Sequence, residues 1–190
     1  MTRKQLKGTI YPAWEIDNLL SEEECENYIR YIDSFNDRTL QTIIKDGRVA
    51  WEIFDKIKEH ADKIVEKGKC RYKLIGCSDF ITLTKGKNPI GIHKDETDKV
   101  RYKGEYRPDL TCFYKVGIYL NNLSTKEDPV AGGTKFYDSH KRYLTSVKPK
   151  VGKAFIFNMN EYHSGEKFEK GKIKYLIGIR LLYKHLPHEK

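Results

Sequence analysis

The chain has 190 residues, 38% of them hydrophobic and 12% aromatic, and a formal net charge of +9. That content is globular and excludes a disordered chain, and the length is enough for one domain with a real core. No apolar run is long enough to cross a bilayer as a helix, so no membrane partner is expected. The basic residues are mostly lysines spread along the chain with acids between them, which reads as a solvated surface; an acidic protein or nucleic-acid partner is the alternative. Cys25, Cys70, Cys77 and Cys112 have no zinc-like pairing and read as reduced thiols of an intracellular, cytoplasmic protein, with a Cys70–Cys77 disulfide as the alternative. The basic N-terminus, Met1 to Lys7, leads into no secretory apolar segment.

Ile10 to Leu20 reads as an extended lead-in, with Trp14 and Ile16 pointing one way. Ser21-Glu22-Glu23-Glu24 starts a helix: Ser21 caps, Glu24 closes a capping box, and the acidic first turn suits the helix dipole. Cys25, Tyr28, Ile29 and Ile32 give its apolar face, and Asn36-Asp37 ends it. A second helix is predicted from about Val49 to Glu66, with Ile53, Phe54, Ile57, Ala61, Ile64 and Val65 as its stripe, His60 off it and Gly68 as the stop.

The period then changes to that of strands. Asp79 to Thr84 is a short strand, Gly86-Lys87-Asn88-Pro89 a turn, and a strand through His93 follows. Glu96 to Asp109 reads as a loop of the kind that covers or selects substrate. Strands are predicted at Cys112 to Leu120, Thr134 to Tyr137, Leu144 to Val147, Ala154 to Asn158 and Lys174 to Tyr183, with Asn121 to Ala131 a polar loop. Two helices followed by six to eight strands indicate an α+β fold, with helices packed on one side of a double sheet.

In a strand, His93 and Asp95 of Ile90-Gly91-Ile92-His93-Lys94-Asp95 point to one face. An imidazole and a carboxylate there are either an ordinary hydrogen-bonded pair or half of an N/O metal site, a type that suits iron(II) when a second histidine completes it. His140, His163, His185 and His188 are the candidates for a third ligand. His140 lies in what looks like an exposed turn, and the last two in a charged tail expected to fray. His163 follows a buried-looking strand, Phe155 to Asn158, and enough chain separates it from Asp95 for the fold to return beside its start. A basic residue on the last strand can then hold an acidic cosubstrate. Lys174 and Arg180 share a face but stand six residues apart, and Lys174 is nearer His163.

These residues resemble the iron(II)/2-oxoglutarate-dependent oxygenases, and within them the prolyl 4-hydroxylase-like branch. The resemblance runs in order through Ile16 to Cys25, His93-x-Asp95, Ile118-Tyr119-Leu120-Asn121, Gly132-Gly133-Thr134-Lys135-Phe136, Val147-x-Pro149-x-x-Gly152-x-Ala154-x-x-Phe157, His163-x-Gly165 and Gly171-x-x-Lys174-Tyr175. It implies one dioxygenase domain over residues 1–190, with a core of about 16–183, folded as a double-stranded β-helix or jelly roll with N-terminal helices on one sheet. It also implies that His93, Asp95 and His163 bind Fe(II), that Lys174 pairs with the distal carboxylate of 2-oxoglutarate, and that Tyr119 hydrogen-bonds it, with Thr134 beside them. O2 is the co-reactant, and ascorbate is an accessory reductant to be considered. The pattern departs from the family in the extra residue between Gly171 and Lys174, in Leu83 and Thr84 where the branch often has tyrosine, and in Lys115, which shares the face of Tyr119 and is the second candidate for the cosubstrate.

The implied activity is hydroxylation of a C–H bond, with a prolyl residue in a peptide or protein as the leading target. An oxygenase acting on nucleic acid, a free amino acid or a small amine is the second reading, and a non-catalytic jelly-roll binding module the third.

Overall fold

A computed structural model of the chain describes residues 2–35, 40–95 and 101–187, with the side chains of residues 40 and 41 left aside. Strands β1 (Arg3–Gln5) and β2 (Trp14–Ile16) lead into helix α1 (Glu22–Asp33). Its capping box forms as predicted: Glu24 N donates to Ser21 Oγ at 3.1 Å, and Ser21 N donates to Glu24 Oε2 at 2.9 Å. Asn36 and Asp37, the expected stop, lie outside the described residues. An unpredicted strand β3 (Leu40–Lys45) comes next, then helix α2 (Gly47–Ile57).

Helix α2 does not run to Glu66. Ile64 and Val65 belong instead to β4 (Ile64–Lys67), which pairs with the long β5 (Cys70–Gly86). Gly68, expected as a helix stop, is the left-handed residue (φ 60°) of a two-residue hairpin loop between Lys67 and Cys70. The β-branched pair gains more from a sheet edge than from extending a helix that ends at Ile57.

Beyond β5 the chain forms the hairpin β6 (Arg101–Tyr102) and β7 (Glu105–Tyr106), in a region expected to be a loop. Its two turn residues, Lys103 and Gly104, both have positive φ (51° and 86°), the requirement of a tight right-twisted hairpin. Residues 96–100 lie outside the description. Strands β8 (Leu110–Tyr119), β9 (Thr134–Tyr137), β10 (Tyr143–Val147), β11 (Ala154–Asn158), β12 (Tyr162–Gly165) and β13 (Lys174–Leu186) complete the fold.

The strands make a large sheet in the order β1-β2-β11-β8-β13-β5-β3, with β4 also on β5, and a small one in the order β10-β9-β12. The fold is mostly β and jelly-roll-like. Alternation along the central strands divides the large sheet into two faces. Ile81, Leu83, Val116, Ile118, Ala154, Ile156, Ile177 and Ile179 share a core with Cys25, Ile32, Ala50 and Ile53 of the helices. On the other face, Tyr119, Phe155 and Phe157 pack with Phe136 and Val147 of the small sheet. All four cysteines are free thiols, and no described helix is long and apolar enough to cross a membrane.

Candidate metal centre and its cavity

His93 does not sit in a regular strand. It forms an isolated bridge in which His93 N donates to His163 O and His163 N to His93 O, each at 2.9 Å. Gly165 N also donates to Ile90 O at 3.0 Å, but Pro89, which lacks a donor, and Gly91, a poor strand former, explain why no regular ladder follows. The bridge still brings the two imidazoles together, with ring centroids 4.3 Å apart.

One ligand atom from each of His93, Asp95 and His163 lies within 4.8 Å of the others. Each imidazole turns Nδ1 to a backbone carbonyl, His93 to Gly91 O at 2.8 Å and His163 to Glu161 O at 3.1 Å. A carbonyl oxygen only accepts, so Nδ1 carries the proton and Nε2 keeps its lone pair, which is how metal-binding histidines are set. Burial pushes the His163 imidazolium down to about 4 against the attraction of Asp95, so the ring is neutral at physiological pH. Its 3.7 Å approach to Asp95 Oδ2 is therefore not a salt bridge. Burial favours the neutral acid at Asp95, but the Lys115 ammonium outweighs it and holds the carboxyl below its ordinary range. Lys115 Nζ donates to Asp95 Oδ1 at 2.9 Å. Asp95 Oδ2 is the one buried side-chain oxygen or nitrogen among the described residues with no hydrogen-bond partner. A carboxylate oxygen left bare between two imidazoles is what a divalent cation would satisfy, and the mixed N/O donor set suits iron(II).

The three residues open onto a cavity of about 660 Å³. Its floor is the second face of the large sheet: Thr82 and Thr84 of β5, Lys115 and Gly117 of β8, and Lys174 and Arg180 of β13 all line it. Phe155 and Phe157 add an apolar wall, and Thr42 and Ile43 of β3 another. Lys174 is 7% exposed and donates to Gly133 O at 3.3 Å. Among the described residues no carboxylate lies within ion-pairing distance of it, Glu166 being taken by Lys135 at 2.7 Å. Burial lowers the Lys174 ammonium to about 8, with Glu166 pulling weakly the other way. Tyr119 does not line the cavity; its hydroxyl shares a 2.7 Å hydrogen bond with that of Thr134, which does.

The other histidines stay apart. His140 is in an exposed turn closed by Asp138, as expected. His185 is not in a frayed tail, since β13 continues through it and its ring packs edge-on against Tyr72. His188 lies outside the described residues. The sequence reading missed the carbonyls of Gly91 and Glu161, which carry no side-chain signal. It also missed β3, whose run Thr42-Ile43-Ile44 was the available clue, and the Asp95–Lys115 pair.

By sequence the chain matches no family model and no curated protein. By structure it is similar to the viral collagen prolyl hydroxylase vCPH of Paramecium Bursaria Chlorella virus-1, solved with 2-oxoglutarate: 18% identity, TM-score 0.54, over 90% of this chain and 96% of that one. It is similar to a Trichoplax adhaerens prolyl hydroxylase in complex with a hypoxia-inducible-factor peptide: 13% identity, TM-score 0.57, over 89% and 82%. It is also similar to HygX of Streptomyces hygroscopicus with nickel and 2-oxoglutarate bound: 12% identity, TM-score 0.57, over 90% and 82%. The fold is thus that of the 2-oxoglutarate oxygenases. Prolyl hydroxylases are among the proteins that share it.

Proposed function

We propose that this chain is a single-domain Fe(II)- and 2-oxoglutarate-dependent dioxygenase with a double-stranded β-helix core, and that it hydroxylates a C–H bond of a prolyl residue in a peptide or protein. The observation that carries this reading is the meeting of His93, Asp95 and His163, with a bare Asp95 oxygen, at a cavity that also holds an unpaired buried lysine. His93 and His163 would bind the metal through Nε2 and Asp95 through Oδ2. The Lys174 ammonium, itself buried, would take the distal carboxylate of 2-oxoglutarate in a charge-assisted contact. Thr134 would add its hydroxyl, held in place by Tyr119. Phe155 and Phe157 keep water from that end of the cavity.

The bound iron and cosubstrate supply the oxidation: one dioxygen and one 2-oxoglutarate are consumed, one oxygen atom entering succinate and the other the substrate carbon, with loss of carbon dioxide. A peptide is favoured as substrate by the partly apolar lining, where Ile43 is 45% exposed.

The test is succinate release from 2-oxoglutarate with Fe(II) across peptide, nucleic-acid and amino-acid pools, with ascorbate present and absent, and a search for one added oxygen in the consumed substrate. Turnover on proline-containing peptides is expected. Turnover confined to nucleic acid or small amines would replace the substrate class. No succinate with any pool, and no retained metal, would leave a binding module.

A further inference from the structure

Lys115 is the second candidate to anchor an acidic cosubstrate, yet its ammonium is engaged by Asp95. It lies 2.9 Å from Asp95 Oδ1, and both side chains are nearly buried, at 13% and 10% exposure. The carboxylate thus divides its oxygens: Oδ1 is occupied by Lys115, while Oδ2 has no partner and stands 3.7 Å from His163 Nε2. A lysine that merely filled the metal's place would sit on the oxygen facing the histidines. This one sits on the other.

The two residues also differ in how firmly they are held. Lys115 is on β8, in the middle of the large sheet, paired with Phe157 of β11 on one side and Arg180 of β13 on the other. Asp95 is in an irregular segment joined to β12 by the His93–His163 bridge two residues earlier and by Gly165 N donating to Ile90 O at 3.0 Å. The Lys115 stem passes beside Gly178, where an added Cβ would stand 3.7 Å from Lys115 Cε. The missing side chain there leaves the stem its path along the cavity floor.

We propose that Lys115 is a positioning residue for the metal centre: it clamps Asp95 by Oδ1 from the rigid sheet and so presents Oδ2 alone, making Asp95 a one-oxygen ligand. The 2-oxoglutarate carboxylate is left to Lys174. This rests on the metal reading above, and the experiment separates the two. Mn(II) alone is titrated into the purified full chain and into Lys115→Met, followed by calorimetry, and the visible spectrum of each protein with Co(II) is recorded.

Wild type should bind Mn(II), and Lys115→Met should bind it about 10- to 100-fold more weakly, the usual effect of losing a partner behind a ligand. Its Co(II) spectrum should change, which a loss of general stability would not produce. At saturating metal, its affinity for 2-oxoglutarate should match wild type. Lys115→Arg, keeping charge and donor, should restore most of the metal affinity. If Lys115→Met does not fold, Lys115→Gln, a neutral donor, should show weakening in the same direction. Unchanged or tighter Mn(II) binding by the neutral variants overturns the role of Lys115. So does normal metal binding with lost 2-oxoglutarate binding, which would make Lys115 the anchor. A wild type that binds neither Mn(II) nor Co(II) overturns the metal reading and this inference with it.

Discussion

Lys174 is a buried ammonium with no carboxylate at ion-pairing distance among the described residues. With its ammonium lowered from 10.5 to about 8, keeping it charged costs the folded state roughly 3 kcal/mol. The cost is fully present below pH 8, where folded and unfolded chains are both protonated. Between 8 and 10.5 the unfolded chain binds more protons, so stability climbs with pH and the cost is gone above that range. Lys174→Met should therefore raise stability at pH 7 by up to about 3 kcal/mol in denaturant unfolding. The same variant should lose 2-oxoglutarate binding by calorimetry, a trade of stability for function. In the native protein, affinity for 2-oxoglutarate should be flat below pH 8 and fall above it, as the free site loses its positive charge. The ligand trio gives a simpler expectation: His93→Ala, Asp95→Ala and His163→Ala should each abolish Mn(II) binding in the same titration.

Glu161 shows how an element holds the site. Its carboxylate accepts from Ile10 N at 2.8 Å and Tyr11 N at 3.2 Å, tying the N-terminal segment to the turn before β12, while its own carbonyl orients His163. Glu161→Ala strands two backbone donors and should cost about 1–3 kcal/mol in thermal or denaturant unfolding, with weaker metal binding in the variant that remains folded. The floor of the cavity is a second device. Gly117 of β8 and Gly178 of β13 are paired neighbours. A Cβ at Gly117 would strike the Phe155 ring, and one at Gly178 would come within 2.7 Å of Val116 O. Gly178→Val should destabilise by about 1–3 kcal/mol, read by chemical denaturation.

Elements of this kind were unevenly legible. Thr134–Tyr137, which alternates, and Ala154–Asn158, a buried apolar run, have the boundaries their sequence predicts. Ile64 and Val65 fit a helical stripe as well as a strand, and only the available pairing with β5 separates the two.

At the scale of the whole molecule, the two sheets and the bridge between His93 and His163 close one cavity whose charges are arranged in advance. A site organised before its ligands arrive should be stabilised by them through mass action. Mn(II) with 2-oxoglutarate, each at about 100 times its dissociation constant, should add roughly 2.7 kcal/mol per independent ligand. For a chain of this size that is a rise in melting temperature of about 5–10 °C for each, read by thermal shift and reversed by a chelator. Lys174→Met should keep the rise with metal and lose the further rise with 2-oxoglutarate.

The sequence by itself determined what depends on near neighbours: the Ser21–Glu24 cap, the alternation that gives the large sheet two faces, and the one-residue spacing of His93 and Asp95. The tertiary structure decided what depends on approach between distant positions. It brought His163 to that pair, put the Lys115 ammonium on Asp95 Oδ1, and left Lys174 without a carboxylate among the described residues. Local patterns report which face a side chain is on, whereas the partner across a cavity is set by how strands far apart in the chain pair and how two sheets close on one another.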